Sequence, residues 1–357
     1  MTIALDATPL TVSTGGVRRY TEELALALAR NFPDDRYWLI SDQPFSGPED
    51  APLNLHCEIS AARRWWSWGL PRALSRLQAG LFHGTDFAVP YLPQRPSVMT
   101  LHDLSPWLDR AWQPSASRVR RRTPILLRAG ICTMVITPSE TVRRAAIERF
   151  SLQPDRVAAV PLAASEHFRP VDAAPPATPY FLFAGTLEPR KNIHRLIEAW
   201  REVRKTREVG LVLAGRARSD FEPPPSEPGL QLLGAVPDEE LPGLYSGAAA
   251  CVYPSLYEGF GLPVLEAMQC GALVITARDP AIMEVTGGGT AIRVAMHVDA
   301  EDTRALAHAL AAALDAPENF AAIRAQALVR ARDFSWTRTA QRTREVYDAA
   351  CRFFSRA

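Results

Sequence analysis

At 357 residues the chain is too long for one ordinary core and suits two α/β domains. Its 47% hydrophobic and 22% charged content is that of a soluble globular protein, and a formal charge of only +1 excludes a global drive toward nucleic acid. Cys57, Cys132, Cys251, Cys270 and Cys351 are scattered without a C-x-x-C pair, which speaks against a metal site or disulfide framework and fits a reducing cytoplasm.

Met1–Asp6 reads as a first strand, because it lacks the basic start and long apolar run of a signal peptide. No segment approaches the ~18–20 apolar residues of a membrane span. After the predicted strand Thr2–Leu5, Gly15-Gly16 turns into a helix near Val17–Arg30. Further strands are expected at Tyr37–Ile40, Leu55–Ile59, Gly80–His83, Val98–His102, Met134–Thr137 and Val157–Val160. Helices fill the gaps at Ala116–Arg128 and Ser139–Phe150, the latter capped by Ser139. This alternation predicts a mostly parallel sheet covered on both faces, in a first domain of residues 1–165.

Residues 166–179, rich in Pro and Ala, read as a linker. A second alternating domain follows at 180–335. Its expected strands are Tyr180–Phe183, Leu211–Ala214, Leu230–Leu233, Ala250–Tyr253 and Leu273–Thr276. Its expected helices are Ile193–Arg204, Asp238–Ser246, Thr303–Leu314 and Ala321–Arg332, with an exposed proline-rich loop at Glu222–Pro228. Residues 336–357 form a tail whose helix, Trp336–Phe354, carries Tyr347, Phe353 and Phe354 for packing.

The segment Tyr257–Met268 carries the most chemistry. Glu258 and Glu266 are separated by seven residues, across a Gly259-Phe260-Gly261 turn that runs into a helix with Pro263 in its first turn. Such a turn offers unpaired helix amides to an anion. Carboxylates would repel a phosphate, so they suit the hydroxyl groups flanking one, and a nucleotide sugar has that layout. The bland alternative is an ordinary strand–turn–helix with Glu266 on a solvated face. Gly185–Asn192 follows the first strand of the second domain, where ligands of open α/β sheets bind. Arg190 and Lys191 precede a helix, at the dipole end that disfavours cations, so an anionic partner accounts for them.

Gly15-Gly16 is not a dinucleotide fingerprint; with a diphosphate implied nearby, its amides become second contacts, and otherwise it is only a tight turn. His102 and Asp103 end a predicted strand, either as a structural pair or as a group that contacts a sugar hydroxyl or handles a proton. His83, with Asp86 nearby, is read as structural. Arg63–Leu70 and Arg118–Arg128 mix basic with apolar residues, which suits either a membrane surface or a buried Trp cluster and a solvated helix face.

Across nearly its whole length the chain resembles the retaining GT-B glycosyltransferases of family 4, bacterial mannosyltransferases among them. The residues that carry the resemblance are Gly15-Gly16, His102-Asp103-Leu104, Gly185–Asn192 and the E-x7-E pair Glu258/Glu266. It implies two Rossmann-like domains facing a central cleft, with the last helix returning to the N-terminal domain. It also implies ribose contacts from Glu266, donor-sugar contacts from Glu258, and sugar or phosphate contacts from the amides of Phe260, Gly261 and Leu262. Arg190 and Lys191 would stabilise the departing diphosphate, and His102 would contact the transferred sugar. Many relatives carry Arg after the glycine of the 185 loop; Thr186 here shifts that charge to Arg190, Lys191 or another residue such as Arg216.

The expected reaction moves a hexosyl group, mannosyl from GDP-mannose as the leading case, to a lipid-linked or polysaccharide acceptor with retention. No cofactor or divalent metal is expected, since there is no D-x-D pair at a strand end. The expected location is the cytoplasm, with peripheral contact at the inner membrane. The alternatives are a GT-B sugar-nucleotide hydrolase, epimerase or phosphorylase, and a non-catalytic sugar-nucleotide-binding protein. A Rossmann dehydrogenase fits poorly without its fingerprint.

Overall fold

A computed structural model describes residues 1–12, 15–172, 176–288 and 293–356. The chain divides into two compact units, Met1–Leu162 joined by Ser335–Ala357, and Ala163–Phe334. Each is an α/β unit built on a parallel sheet.

The first unit's strands are β1 (Thr2–Asp6), β2 (Arg36–Ser41), β3 (Leu55–Ile59), β4 (Leu81–Gly84), β5 (Ser97–Thr100), β6 (Met134–Thr137) and β7 (Val157–Ala159). They pair all-parallel in the order β3-β2-β1-β4-β5-β6-β7. Its helices are α1 (Gly16–Asn31), α2 (Leu70–Arg76), α3 (Ser105–Leu108), α4 (Ser117–Arg128) and α5 (Glu140–Phe150). The second unit's sheet runs β10-β9-β8-β11-β12-β13, also all-parallel, from β8 (Tyr180–Ala184), β9 (Gly210–Ala214), β10 (Leu230–Gly234), β11 (Ala250–Tyr253), β12 (Val274–Ala277) and β13 (Met296–Val298). Around it lie α6 (Ile193–Arg204), α7 (Leu241–Gly247), α8 (Leu262–Gln269), α9 (Pro280–Val285), α10 (Thr303–Asp315) and α11 (Ala321–Ala331).

The central strands β4, β5, β6, β11 and β12 are buried at every position, as continuous apolar runs with both faces covered should be. Strand order reverses between β1 and β4 in one unit and between β8 and β11 in the other. In open parallel sheets the loops leaving such a switch point diverge and leave a crevice at the strands' carboxyl ends. The loops that follow these four strands are therefore where each unit can hold a ligand.

The final helix, α12 (Trp336–Phe354), packs chiefly on α1 of the first unit. Its buried stripe of Trp336, Thr339, Ala340, Thr343, Val346, Tyr347 and Ala350 repeats every three to four residues. Ser335 caps it by accepting from the Arg338 amide, and Arg344 pairs with Asp35 at 2.7 Å. Phe353 and Phe354 are only half-buried, so Tyr347 is the aromatic anchor.

Several expectations shift. The strand predicted to run to His102 ends at Thr100, which leaves His102 and Asp103 in a loop. The helix expected from Asp238 begins at Leu241, while β13 and α9 are too short to stand out in the sequence. Most of the expected linker belongs to the second unit: Gln269 donates to the Ser165 and Phe168 carbonyls, and Ser246 accepts from the Val171 amide. Residues 173–175 lie outside the described residues. No helix among the described residues is long and apolar enough to cross a membrane.

Candidate active site

In the second unit, the loops after β8 and β11 meet. The Leu256 amide donates to the Arg190 carbonyl at 2.8 Å, and the Asn192 side chain donates to the carbonyls of Pro254 and Ala300. Asn192 reaches both from a left-handed backbone conformation (φ 58°) that asparagine tolerates well. Gly185 donates to the Ala214 carbonyl, and a β-carbon on neighbouring Gly215 would lie 1.9 Å from the Gly185 carbonyl oxygen. Gly215 thus serves close packing of the β8 and β9 loops, whereas Gly185 is set apart by its φ of 144°.

These ties bring Arg190, Lys191 and Glu258 into one ion network. Lys191 Nζ lies 2.5 Å from Glu258 Oε1, and Arg190 Nη1 lies 3.0 Å from Glu258 Oε2 and 2.9 Å from the Tyr257 carbonyl. Arg190 Nε lies 2.7 Å from Glu188 Oε1, whose other oxygen takes Arg218 Nη1 at 2.7 Å; Arg218 continues to Asp220. Glu188, Lys191 and Glu258 are all buried. Burial pushes the Glu258 carboxyl up, but the Lys191 ammonium and the Arg190 guanidinium outweigh it and hold it at about 2. The expected division, with cations for phosphate and carboxylates for hydroxyls, is drawn here as a single charge cluster.

Gly261 sits at φ 96° as the residue before α8, and Pro263 occupies the helix's first turn. The first-turn amides of any helix have no acceptor within the helix. Asp279 buttresses the turn: one carboxylate oxygen takes the Glu258 amide at 3.0 Å, while the other caps α9 through Ala281 and Ile282. Glu266 is 1% exposed, which removes the solvated-face reading, and its Oε2 accepts from the Tyr245 hydroxyl at 2.8 Å. Phe260 and Leu262 are buried beside it. Arg216 is exposed, and Arg218 joins the network through Glu188.

Sequence reasoning missed Glu188, Arg218, Asp279 and Tyr245. Glu188 lay inside the motif already singled out, and a buried glutamate two residues before an Arg-Lys pair was the available signal. The other three carried none, because they approach from separate elements.

In the first unit, Gly15 (φ 136°) precedes α1, whose first residue is Gly16. His102 Nε2 lies 2.7 Å from the Thr85 carbonyl and therefore donates to it. Burial lowers the His102 pKa, so at neutral pH the ring is uncharged and Nδ1 holds a lone pair. Asp103 Oδ1 accepts from the amide and hydroxyl of Ser105, at 2.8 and 2.6 Å, which ties that oxygen to the start of α3. His83 is fully buried between the Tyr347 hydroxyl and Thr100, a structural position as expected. Two further carboxyls lie at this edge, Asp86, noted beside His83 in the sequence, and Asp6, which sequence reasoning passed over. Asp6, at the end of β1, is raised to about 7 by burial, and Asp86, after β4, to about 6 by burial and then Asp103.

Two family descriptions cover almost the whole chain: Glycosyltransferase Family 4 matches residues 14–165, and Glycosyl transferases group 1 matches 165–329. The O-antigen chain mannosyltransferase B of Escherichia coli is 33% identical over 287 residues, 75% of this chain and 74% of that one. The chain belongs to the family 4 glycosyltransferases. Another relative, the MMP alpha-(1->4)-mannosyltransferase of Mycolicibacterium hassiacum, is 30% identical over 65% of this chain and 56% of its own. Solved structures share the fold at low identity. They include sucrose-phosphate synthase from Thermosynechococcus elongatus (TM-score 0.78, 19% identity, all of both chains) and Anabaena HepE in complex with UDP-glucose (TM-score 0.74, 16% identity, 98% and 99%). The architecture of this family 4 glycosyltransferase is accordingly GT-B.

Proposed function

We propose that this glycosyltransferase moves a mannosyl group from a nucleoside-diphosphate sugar, GDP-mannose as the leading candidate, to a glycan or lipid-linked acceptor with retention. The observation that carries the reading is the Arg190–Lys191–Glu258 network at the β8/β11 switch point, with buried Glu266 on the helix α8 that follows. Two cations beside helix amides suit a diphosphate, and their paired carboxylate suits sugar hydroxyls. The mannosyltransferase names of the sequence relatives support the choice of sugar.

In the proposed reaction, the bond between the anomeric carbon and the phosphate oxygen breaks as the acceptor oxygen bonds to that carbon on the same face. The acceptor's proton passes to the departing phosphate, and a nucleoside diphosphate leaves. Arg190 and Lys191 stabilise the charge that grows on it, so no metal is required; unchanged turnover in EDTA tests that. Glu266 holds the ribose and Glu258 the transferred sugar. The amides of Phe260, Gly261 and Leu262 serve the sugar or phosphate, with those of Gly15 and Gly16 as further phosphate donors. His102, through Nδ1, accepts a hydroxyl of the transferred sugar. Rescue of a Glu258→Gln enzyme by an external nucleophile would instead indicate a covalent intermediate.

The partner surface proposed for a lipid-linked acceptor is an anionic membrane. On α4, Arg118, Arg121, Arg122 and Arg128 are exposed together with Ile125 at 63%, and Trp68 of the first unit is 54% exposed. Co-sedimentation with phosphatidylglycerol vesicles, but not with phosphatidylcholine ones, is the expected result.

A thermal-shift screen with GDP-, UDP-, ADP- and dTDP-sugars tests the donor, since a ligand bound only by the folded state raises Tm. Stabilisation by GDP-mannose and an α-configured product by NMR support the reading. Stabilisation by another nucleotide sugar alone, or an inverted product, overturns it.

A further inference from the structure

Beneath the loop that carries His102 runs a chain of buried polar side chains that the donor chemistry does not use. The Tyr347 hydroxyl of α12 lies 2.7 Å from His83 Nδ1 on β4, and His83 Nε2 lies 2.8 Å from Thr100 Oγ1 on β5. Thr100 Oγ1 lies 2.8 Å from the Tyr20 hydroxyl on α1. All four residues are at most 1% exposed. Burial pushes the His83 pKa down to about 3, so its ring is neutral, with one nitrogen donating and the other accepting. The Tyr347 and Thr100 hydroxyls therefore take opposite roles toward the ring, one donating and one accepting, and Thr100 Oγ1 joins His83 to Tyr20. A buried network of this kind stabilises only when complete, because each orphaned member costs the desolvation of a polar group.

The chain ends against His102. The Tyr20 ring meets its imidazole edge-on, with centroids 4.8 Å apart at 85°, and the Phe87 ring flanks it at 6.2 Å. Tyr20 belongs to the helix that starts at Gly16, so one chain links α12, two central strands, the glycine-loop helix and the histidine. Packing alone would be met by phenylalanine and valine, which makes the hydroxyls the feature to explain.

We infer that Thr100 and Tyr20, held in turn by His83 and Tyr347, are positioning residues that fix the His102 imidazole with Nδ1 presented to substrate, so that α12 acts on the site through this chain. The inference rests on the reading of His102 as a sugar contact.

The test compares Thr100→Val, an isostere that breaks both central bonds, with Thr100→Ser, which keeps the hydroxyl, and with His102→Ala. Each full-length variant is assayed for turnover with GDP-mannose and for Tm, and the His102 ring nitrogens are followed by 15N NMR. Thr100→Val is expected to lower kcat ~10-fold, the worth of about one hydrogen bond, with KM for GDP-mannose within ~2-fold. Its His102 signals should shift and broaden as the ring loses its fixed orientation against Tyr20, with the Nε2–H tautomer still held by the Thr85 carbonyl, and Thr100→Ser should restore both. Thr100→Val with a lower Tm but wild-type kcat and unchanged His102 signals overturns the inference. Wild-type kcat in His102→Ala overturns the sugar-contact reading instead, and the NMR comparison, which needs no donor, still decides whether the chain orients the ring. If Thr100→Val does not fold, Tyr347→Phe breaks the far link with the ring retained and carries the same readouts.

Discussion

The two units share a sheet type and a switch point, yet their crevice edges are built from opposite electrostatics. At β8/β11 the carboxylates are ionised and cation-paired, with Glu258 held at about 2 beside Lys191 and Arg190. At β1/β4 they hold their protons into the physiological range, Asp6 to about 7 and Asp86 to about 6, beside a neutral His102. In the proposed reaction the charged edge would meet the diphosphate and its growing charge, and the edge of raised carboxyls would meet hydroxyl groups.

The largest effect that would break this comparison is Lys191→Ala, expected to cut kcat ~10³-fold with a far smaller change in donor affinity, because its charge matters most as the bond breaks. Equal losses in kcat and affinity, measured by steady-state kinetics and calorimetry, would remove that role. Next is the acid limb of stability. The Glu258 pKa is lower in the folded state than in the unfolded one, so its contribution is complete above about pH 4.5 and fades as pH falls toward 2. On the order of 3 kcal/mol should vanish across that window in denaturant titrations, and Glu258→Gln should lack this component.

Glu266→Gln should raise the donor KM ~30-fold while kcat changes little, as expected for a ribose contact made equally in ground and transition states. A second stability effect tests the other edge. Asp6 is raised on folding, so its favourable contribution is complete below about pH 4 and is lost as pH rises through 7. Asp6→Asn, which can still accept from Thr8, should therefore gain on the order of 4 kcal/mol over wild type at pH 8 and nothing at pH 4. A gain of equal size at both pH values would mean that the carboxyl is not the cause.

Much of the fold was legible because it is local. Apolar runs announced the central strands, Ser139 announced the start of α5, and α12 was bounded correctly from Trp336 to Phe354. The short α9 and β13 went unseen because six and three residues give too little periodicity. The candidate residues were named, but their partnerships were not. Nothing near Glu258 in the chain indicates that Lys191, 67 positions away, lies 2.5 Å from it. Asp103 was read beside His102 because they are adjacent, and the sequence did not show that its Oδ1 also takes the Ser105 amide and hydroxyl.

By itself, then, the sequence determined the alternation of strands and helices, the two-unit plan, and which glycines, cations and carboxylates sit at strand ends. Those are properties of short windows, set by side-chain periodicity and backbone freedom. Only the tertiary structure decided that Arg190 and Lys191 converge on Glu258, that burial raises the Asp6 and Asp86 carboxyls, and that Tyr347 joins His83 and Thr100 beneath His102. Ionisation and hydrogen bonding depend on burial and on neighbours brought in by strand order, and neither is written in any one stretch of chain.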